Sequence, residues 1–293
     1  MYEIFESTAE NKEIYDYFCT HDNIEVQESL GDAEDPVAVF FTGHGLYYPT
    51  TIEQFRFEVI INNKFEWKNI SQNSRISKRF SKVVFVRDIY KNWCINGVGK
   101  DIQSQDQLAN KLKKIVNGKR CVTIGSSAGG YMAVLFGILL GAEAIFAFSP
   151  QISLHKYHID HPIKYYENYV LDSDISQYMD LTKIIQNYSG YIFYFFPYNC
   201  EEDYRQFLEA NKCENIFFYA MNQSKHGSTI WGDSIIYVLS HSYAKLEELS
   251  KKFSGKIIEP WRFSLKTVGL WRTIAISIGK KIKGFLRKMN SGG

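Results

Sequence analysis

Six short apolar runs recur along the chain, separated by polar stretches with helical periodicity. They are continuous rather than alternating in polarity, as expected of strands buried on both faces of a parallel sheet. The runs are Val37–Phe41, Val83–Val86, Cys121–Ile124, Ala144–Phe148, Tyr191–Phe196 and Ile216–Ala220. Strands that alternate with helices predict a mainly parallel, doubly wound α/β sheet.

Two of the intervening segments carry clear helical signals. Ser104–Gln107 has the form of a capping box, the residues after it place their apolar side chains on one face, and Gly118 ends the pattern. A second helix is predicted over residues 234–251. The interval 151–186 breaks this rhythm with a Tyr-rich stretch, and we interpret it as an insertion over the carboxyl edge of the sheet, where ligands bind in such folds.

The composition is that of an ordinary globular protein, with 45% hydrophobic and 23% charged residues among 293. No run of 18 or more uncharged apolar residues occurs, so no transmembrane span is predicted. The first residues carry acid where a signal peptide carries base, which predicts a cytoplasmic protein. Five cysteines without a Cys-x-x-Cys pair argue against a disulfide framework or a thiolate zinc site.

The charge is distributed unevenly along the chain. Residues 256–293 hold nine Lys and Arg against one acid, Glu259, for a net charge of +8, and residues 1–255 carry −6. An acidic body without a basic face argues against nucleic-acid binding. We therefore predict a catalytic body over 1–255, including the insertion, and a basic amphipathic tail over 256–293.

The tail interleaves bases with Trp and Ile over residues 260–289. It is too short and too charged to span a bilayer, but its composition suits an anionic membrane surface, such as the inner face of the plasma membrane. Docking on the body or on a partner protein is the alternative.

The segment Cys121–Ala133 has the form of a nucleophile elbow. An apolar strand leads into Gly-x-Ser-x-Gly and then into an Ala/Leu-rich helix, which places Ser127 at the sharp turn between them. The amide of Ala128, at the start of the helix, can donate to a developing oxyanion. A phosphate-binding P-loop is excluded because no Gly-Lys-Ser/Thr follows.

A serine nucleophile requires a base and an acid later in the chain. His226 follows the last predicted strand by a short loop and is the predicted base, whereas His241 is assigned to the interior of the following helix. Asp203, in the loop after Tyr191–Phe196, is the predicted acid, with Glu202 as the alternative.

The second oxyanion donor is expected in the loop after an early strand. Val37–Phe41 runs into Thr-Gly-His-Gly, and the amide of His44 or Gly45 could point at the serine. The spacing of His155, His158 and His161 does not converge on one helix face, so no metal site is predicted.

Several segments together resemble a family of α/β-hydrolase-fold proteins encoded among bacterial capsule and surface-polysaccharide biosynthesis genes. They are Val83–Asp88 with Trp93 and Asn96-Gly97, the elbow Ile124–Tyr131, and Phe148–Gln151. The resemblance covers about residues 37 to 250. It implies Ser127, Asp203 and His226 as a triad and places Asp88, Trp93 and Gln151 beside the substrate pocket. The family elbow commonly has Met where this chain has Ala128.

Some members resembling this pattern are polysaccharide O-acetyltransferases. The resemblance therefore implies an acetyl group moved from acetyl-CoA to a sugar hydroxyl, with no tightly bound cofactor. A carbohydrate esterase would use the same triad with water as the acceptor, and a non-catalytic glycan- or partner-binding scaffold is the third possibility. The acceptor sugar and the oligomeric state are left open.

Overall fold

The structure is a computed structural model that describes residues 9–154, 178–213, 215–227 and 229–279. The strands are β1 (Ile24–Glu28), β2 (Val37–Phe41), β3 (Lys82–Val86), β4 (Cys121–Ser126), β5 (Ala144–Phe148), β6 (Tyr191–Pro197) and β7 (Ile216–Met221). The helices are α1 (Ala9–Thr20), α2 (Ile52–Phe55), α3 (Lys68–Ser71), α4 (Ser74–Ser77), α5 (Gln105–Val116), α6 (Ala128–Leu140), α7 (Thr182–Ile185), α8 (Glu201–Ala210), α9 (Gly232–Ser240), α10 (Tyr243–Phe253) and α11 (Pro260–Val268). His44–Leu46 forms a 3-10 turn, and Arg56–Ile61 forms a π-helical turn.

The strands form one sheet in the order β1-β3-β2-β4-β5-β6-β7. All neighbouring pairs from β3 to β7 are parallel, and only β1 runs antiparallel, against β3. The six predicted runs correspond to β2–β7, so the prediction of a mainly parallel α/β sheet is confirmed. With the elbow at the end of the central strand β4, this is the α/β-hydrolase fold.

β1 was not predicted from the sequence. Only its first residue, Ile24, is buried, and the other four are intermediate or exposed, because the strand lies at the edge of the sheet. Only Ile24 and Val26 in this strand are apolar, and Val26 is itself exposed. A five-residue strand with two apolar positions gives too weak a signal to separate it from a loop.

Helices cover both faces of the sheet, and each face has its own buried core. One core packs α5, α6 and α8 on one side of the strands, and the other packs α4, α9, α10 and α11 on the opposite side. The strands between them are almost fully buried; the side chains of β2 and β5 are within 2% of complete burial. These two layers hold the carboxyl ends of β4, β6 and β7 rigidly at one edge.

The predicted capping of α5 is observed. The Ser104 side chain accepts a hydrogen bond from the amide of Gln107 at 3.2 Å, and the helix ends at Asn117 and Gly118, both with positive φ. The single helix predicted over 234–251 is wrong, because the structure has two helices, α9 and α10. The chain is extended at His241, and Arg79 donates to the carbonyls of Leu239 and His241, which ends α9 there.

The two ends of the predicted insertion lie together after the carboxyl end of β5. Ser153 pairs with Asp180 in an antiparallel bridge, and the amide of Leu154 donates to the carbonyl of Met179 at 2.7 Å. The Gln206 side chain of α8 binds the first of these ends, because its Oε1 accepts hydrogen bonds from the amides of Ile152 and Ser153. Both ends thus leave from the carboxyl edge; the position of the segment between them stays a prediction.

Candidate active site

Ser127 lies at the sharp turn between β4 and α6. Its backbone has φ 57° and ψ −124°, a strained conformation for a residue with a side chain. The turn is held from both sides, since the Ser127 amide donates to the carbonyl of Phe148 at 2.8 Å and its own carbonyl accepts the amides of Gly130 and Tyr131. The strain is therefore maintained by the surrounding structure, as in a nucleophile elbow.

The glycines on either side of Ser127 are required by close backbone approach. A Cβ atom at Gly125 would lie 1.9 Å from the carbonyl oxygen of Gly129, and one at Gly129 would lie 2.5 Å from the carbonyl oxygen of Phe41. Any side chain at these positions would force the strand and the helix apart. The Gly-x-Ser-x-Gly spacing thus has a steric cause here.

A continuous chain of hydrogen bonds joins Ser127, His226 and Asp203. Ser127 Oγ lies 2.8 Å from His226 Nε2, and His226 Nδ1 lies 2.9 Å from Asp203 Oδ2. With the proton on Nδ1 facing the carboxylate, Nε2 is free to accept the hydroxyl proton of Ser127. His226 follows β7, and Asp203 lies in the first turn of α8, directly after β6.

Asp203 and Glu202 differ clearly in their relation to the imidazole. The Asp203 side chain is 2% exposed and hydrogen-bonded, whereas the Glu202 side chain is 27% exposed and its Oε1 lies 4.0 Å from His226 Nδ1. That second distance is too long for a hydrogen bond. The geometry favours Asp203 as the orienting acid.

Two opposing effects set the pKa of His226. Burial lowers it, but the hydrogen bond and charge of Asp203, with the charge of Glu202, outweigh burial and raise the pKa above its ordinary value of 6.5. His226 must be neutral to act as a base. As the pH falls through this raised pKa, His226 becomes protonated and can no longer accept the proton of Ser127.

We expect kcat/KM for an activated ester to decline at acid pH with an apparent pKa above 6.5. The measurement is a pH–rate profile of wild type. As a matched control, His241→Gln alters a histidine that contacts Tyr237 instead of the triad. This variant should leave the apparent pKa of the decline unchanged. An apparent pKa well below 6.5 would contradict His226 as the base.

The oxyanion donors are expected where two loops meet beside Ser127. Ala128 is the first residue of α6, so its amide has no partner within the helix and lies at the positive end of the helix dipole. The second loop packs directly on the elbow, because a Cβ at Gly43 would lie 2.7 Å from the carbonyl oxygen of Ser126. The 3-10 turn that follows begins with His44 and Gly45, whose amides stay the predicted second donors.

Glu66 also contributes to this site, although little in the sequence points to it. Its carboxylate accepts the amide of Gly43 at 2.7 Å, which leaves the amides of His44 and Gly45 as the candidate oxyanion donors. Burial raises the Glu66 pKa, against the lowering effects of the Gly43 amide and of Lys64 and Lys91. The only clue in the sequence is an acid between two aromatic residues, Phe65 and Trp67.

His44, Trp93 and Gln151 form one cluster beside the triad. The His44 ring meets the Trp93 ring edge-on at 4.6 Å, and Trp93 Nε1 donates to Gln151 Oε1 at 3.3 Å. Burial, together with the charges of Lys91 and His226, lowers the pKa of His44 to about 3. With this pKa His44 is too weak a base to replace His226 near pH 7. Substrate contact by Trp93 and Gln151 stays a prediction, because both are almost fully buried.

Asp88 is buried and organises the loop that carries Trp93. Its Oδ2 accepts the amides of Asn92 and Cys94 at 2.7 and 3.0 Å, and its Oδ1 accepts the amide of Tyr90 at 3.1 Å. Burial raises its pKa to about 6, although these amides act in the opposite direction. This environment favours a positioning role over the substrate contact that the resemblance implies.

Replacing Asp88 by Asn is expected to destabilise the fold by about 1–3 kcal/mol, because an NH₂ group would face buried amide donors. The measurement is urea unfolding of the variant against wild type. Asp101→Asn, at an exposed position, is the matched control and should change the free energy of unfolding by less than about 0.5 kcal/mol. Unchanged stability with lost turnover would instead indicate contact with substrate.

Cys200, Asp203 and His226 each bring one ligand atom to within 4.8 Å of the others, a grouping that could hold a metal ion. However, both ring nitrogens of His226 are engaged by Ser127 and Asp203. Burial also raises the pKa of the Cys200 thiol to about 11, so it is not a thiolate ligand. The group is explained by acid–base chemistry. His155, His158 and His161 lie outside the described residues.

No protein-family model and no curated protein matches the chain. Among solved structures, it is similar to a capsule O-acetyltransferase of Neisseria meningitidis serogroup A, a mutant in complex with CoA, at 13% identity and TM-score 0.49 over 81% of this chain and 98% of that one. It is also similar to acetyl xylan esterase 1 from Thermoanaerobacterium, at 12% identity and TM-score 0.46 over 82% and 92%. At such identities the activity has to be inferred from the side chains of this chain.

Proposed function

We propose that this chain is a serine-dependent acyltransferase that moves an acetyl group from acetyl-CoA to a hydroxyl of a bacterial surface polysaccharide. The observation that carries the acyl-enzyme chemistry is the hydrogen-bonded series Ser127–His226–Asp203 at 2.8 and 2.9 Å. The acetyl-CoA donor and the polysaccharide acceptor rest on the resemblance of the segments around Asp88, Ser127 and Gln151.

The first half-reaction forms the acyl-enzyme. Ser127 Oγ attacks the thioester carbonyl while His226 Nε2 accepts its proton, and Asp203 stabilises the resulting imidazolium. The oxyanion accepts hydrogen bonds from the Ala128 amide and from the His44 or Gly45 amide. Collapse of the intermediate breaks the carbon–sulfur bond, and the thiol of coenzyme A leaves with the proton from His226.

The second half-reaction reverses these roles. His226, again neutral, accepts the proton of the acceptor hydroxyl, whose oxygen attacks the acetyl carbonyl on Ser127. The same amides hold the oxyanion, and Ser127 leaves with the proton returned by His226. Water in place of the sugar hydroxyl would make the enzyme an esterase, so the identity of the acceptor decides the reaction.

The test is intact-mass spectrometry after incubation with acetyl-CoA. Wild type should gain one acetyl group and release coenzyme A, and Ser127→Ala should do neither. Ser126→Ala, which alters the neighbouring serine in the same motif, is the matched control and should still be acetylated. Turnover of simple esters without an acetyl adduct would replace the transferase by an esterase. If no acyl substrate reacts, the chain is a binding scaffold.

A further inference from the structure

The C-terminal hairpin, defined here as residues 256–279, is attached firmly to the body by one of its sides. Ile258 continues the hydrogen bonding of β7, its amide donating to the carbonyl of Ala220 at 2.7 Å. Phe263 is fully buried, edge-on against the ring of Tyr219. Residues 270–279 are helical and pack back on α11, where Ser264 and Thr273 share a hydrogen bond of 3.0 Å. The alternative of docking on the body thus describes one side of this segment.

The hairpin contacts the segment that follows the candidate base. Arg272 binds Asp233 in the first turn of α9, and Thr267 Oγ1 lies 3.0 Å from Ser234 Oγ. Asp233 lies seven residues after His226, so the two are separated by no more than about 25 Å. The hairpin is therefore attached to the helix that begins shortly after His226 in the chain.

The opposite side of the hairpin presents large apolar side chains to solvent. Trp271 is 81% exposed, and its apolar neighbours on the two helices are also exposed: Trp261, Leu270, Ile274 and Ile278. These helices form an apolar groove of about 290 Å³ between Trp261, Leu265, Ile274 and Ile278. Helical spacing of four residues brings Leu270, Ile274 and Ile278 into one row. A contiguous exposed apolar surface of this kind marks an interaction site.

Charge restricts what can cover this surface. The segment from residue 256 onward has a net charge of +8, and the rest of the chain has −6. Within the hairpin, Arg262 and Lys266 are exposed on the same helix as Trp261. A second copy docked face to face would bring two strongly cationic segments together, which is unfavourable. An anionic surface would instead attract the hairpin and repel the body.

We propose that the hairpin is the membrane-binding element of this protein and lies on an anionic phospholipid surface. Its exposed Trp and Ile side chains insert at the headgroup level, where Trp is favoured, and its Lys and Arg side chains bind lipid phosphates. Within the described ranges, none of the helices combines the length and apolar character needed to cross a bilayer. Binding is therefore peripheral through this part of the chain.

Membrane binding through this surface would also constrain the orientation of the body on the bilayer. The hairpin is fixed to α9 and β7, the elements that flank His226. The orientation of the catalytic edge would thus follow from the orientation of the hairpin. This inference does not depend on the acyltransferase activity, since a catalytically inactive Ser127→Ala protein should bind vesicles as wild type does.

The experiment is flotation of the full chain with vesicles of phosphatidylcholine, with and without phosphatidylglycerol. Wild type should float only with the anionic vesicles, and raised salt should release it. Trp271→Glu should lower the vesicle-bound fraction about tenfold or more, because it places a like charge at the most exposed apolar position. Ile61→Glu, at an apolar site on the body that is 71% exposed, is the matched control and should float normally.

Two results would overturn this proposal. One is equal flotation of wild type and Trp271→Glu, with thermal melting showing that both are folded. The other is failure of wild type to float together with a concentration-dependent dimer, seen by light scattering, that Trp271→Glu abolishes. That second result would assign the apolar face to self-association. Acetyl transfer, measured separately, would be unaffected by either outcome.

Discussion

Replacing Ser127 by alanine is expected to lower turnover of any acyl substrate by about 10⁴-fold or more. The substitution removes the oxygen that lies 2.8 Å from His226 Nε2, and with it the covalent pathway. The hydrogen bonds that hold the elbow involve the Ser127 amide and carbonyl, which alanine keeps. The fold should therefore survive, and thermal stability should stay close to that of wild type.

The assay is a steady-state rate with an activated acetyl ester, and with acetyl-CoA under a thiol-detecting reagent. Ser126→Ala tests whether the loss is specific to the turn position, since Ser126 belongs to β4. Residual activity in Ser127→Ala within about tenfold of wild type would exclude a serine acyl-enzyme, because triad removal elsewhere costs orders of magnitude more. In that case water or another group would have to attack directly.

The sheet could be predicted from the sequence because its strands are buried on both faces. β2 and β5 were predicted with their observed boundaries, since every residue in them is apolar and buried. The edge strand β1 could not, because only one of its five residues is buried and an exposed edge needs few apolar residues. The end of α9 before His241 could not be predicted either, because it depends on hydrogen bonds from Arg79, about 160 residues earlier in the chain.

The placement of Ser127 next to His226 could be predicted for a related reason. Ser127 sits in a motif whose glycines are fixed by local sterics, and His226 is placed by the order of strands along the chain. Glu66 shows the limit of this reasoning. Its carboxylate comes from a segment with no recognisable motif, and only the folded chain brings it to the Gly43 amide. Asp88 is similar, since its position in the sequence does not reveal the amides that surround it.

Replacing Asp203 by asparagine is expected to lower kcat by about 10⁴-fold while changing KM little. Asparagine has nearly the same shape, but it cannot hold the proton of His226 Nδ1 as a carboxylate does, and it does not stabilise the imidazolium. Since Asp203 raises the pKa of His226, the residual activity of Asp203→Asn should show its acid limb at lower pH than wild type. A merely structural role for Asp203 would not move that limb.

Glu202→Gln provides the matched comparison, because the two acids are adjacent in the first turn of α8. Glu202 Oε1 lies 4.0 Å from His226 Nδ1 and acts on it only through its charge. We expect Glu202→Gln to lower kcat by less than about tenfold, because a partly exposed charge is screened by solvent, and to shift the acid limb slightly downward. The opposite ranking of the two variants would assign the orienting role to Glu202. In that case α8 would have to rotate enough to bring Glu202 within hydrogen-bond distance of His226 Nδ1, and a structure of Asp203→Asn would show this rotation.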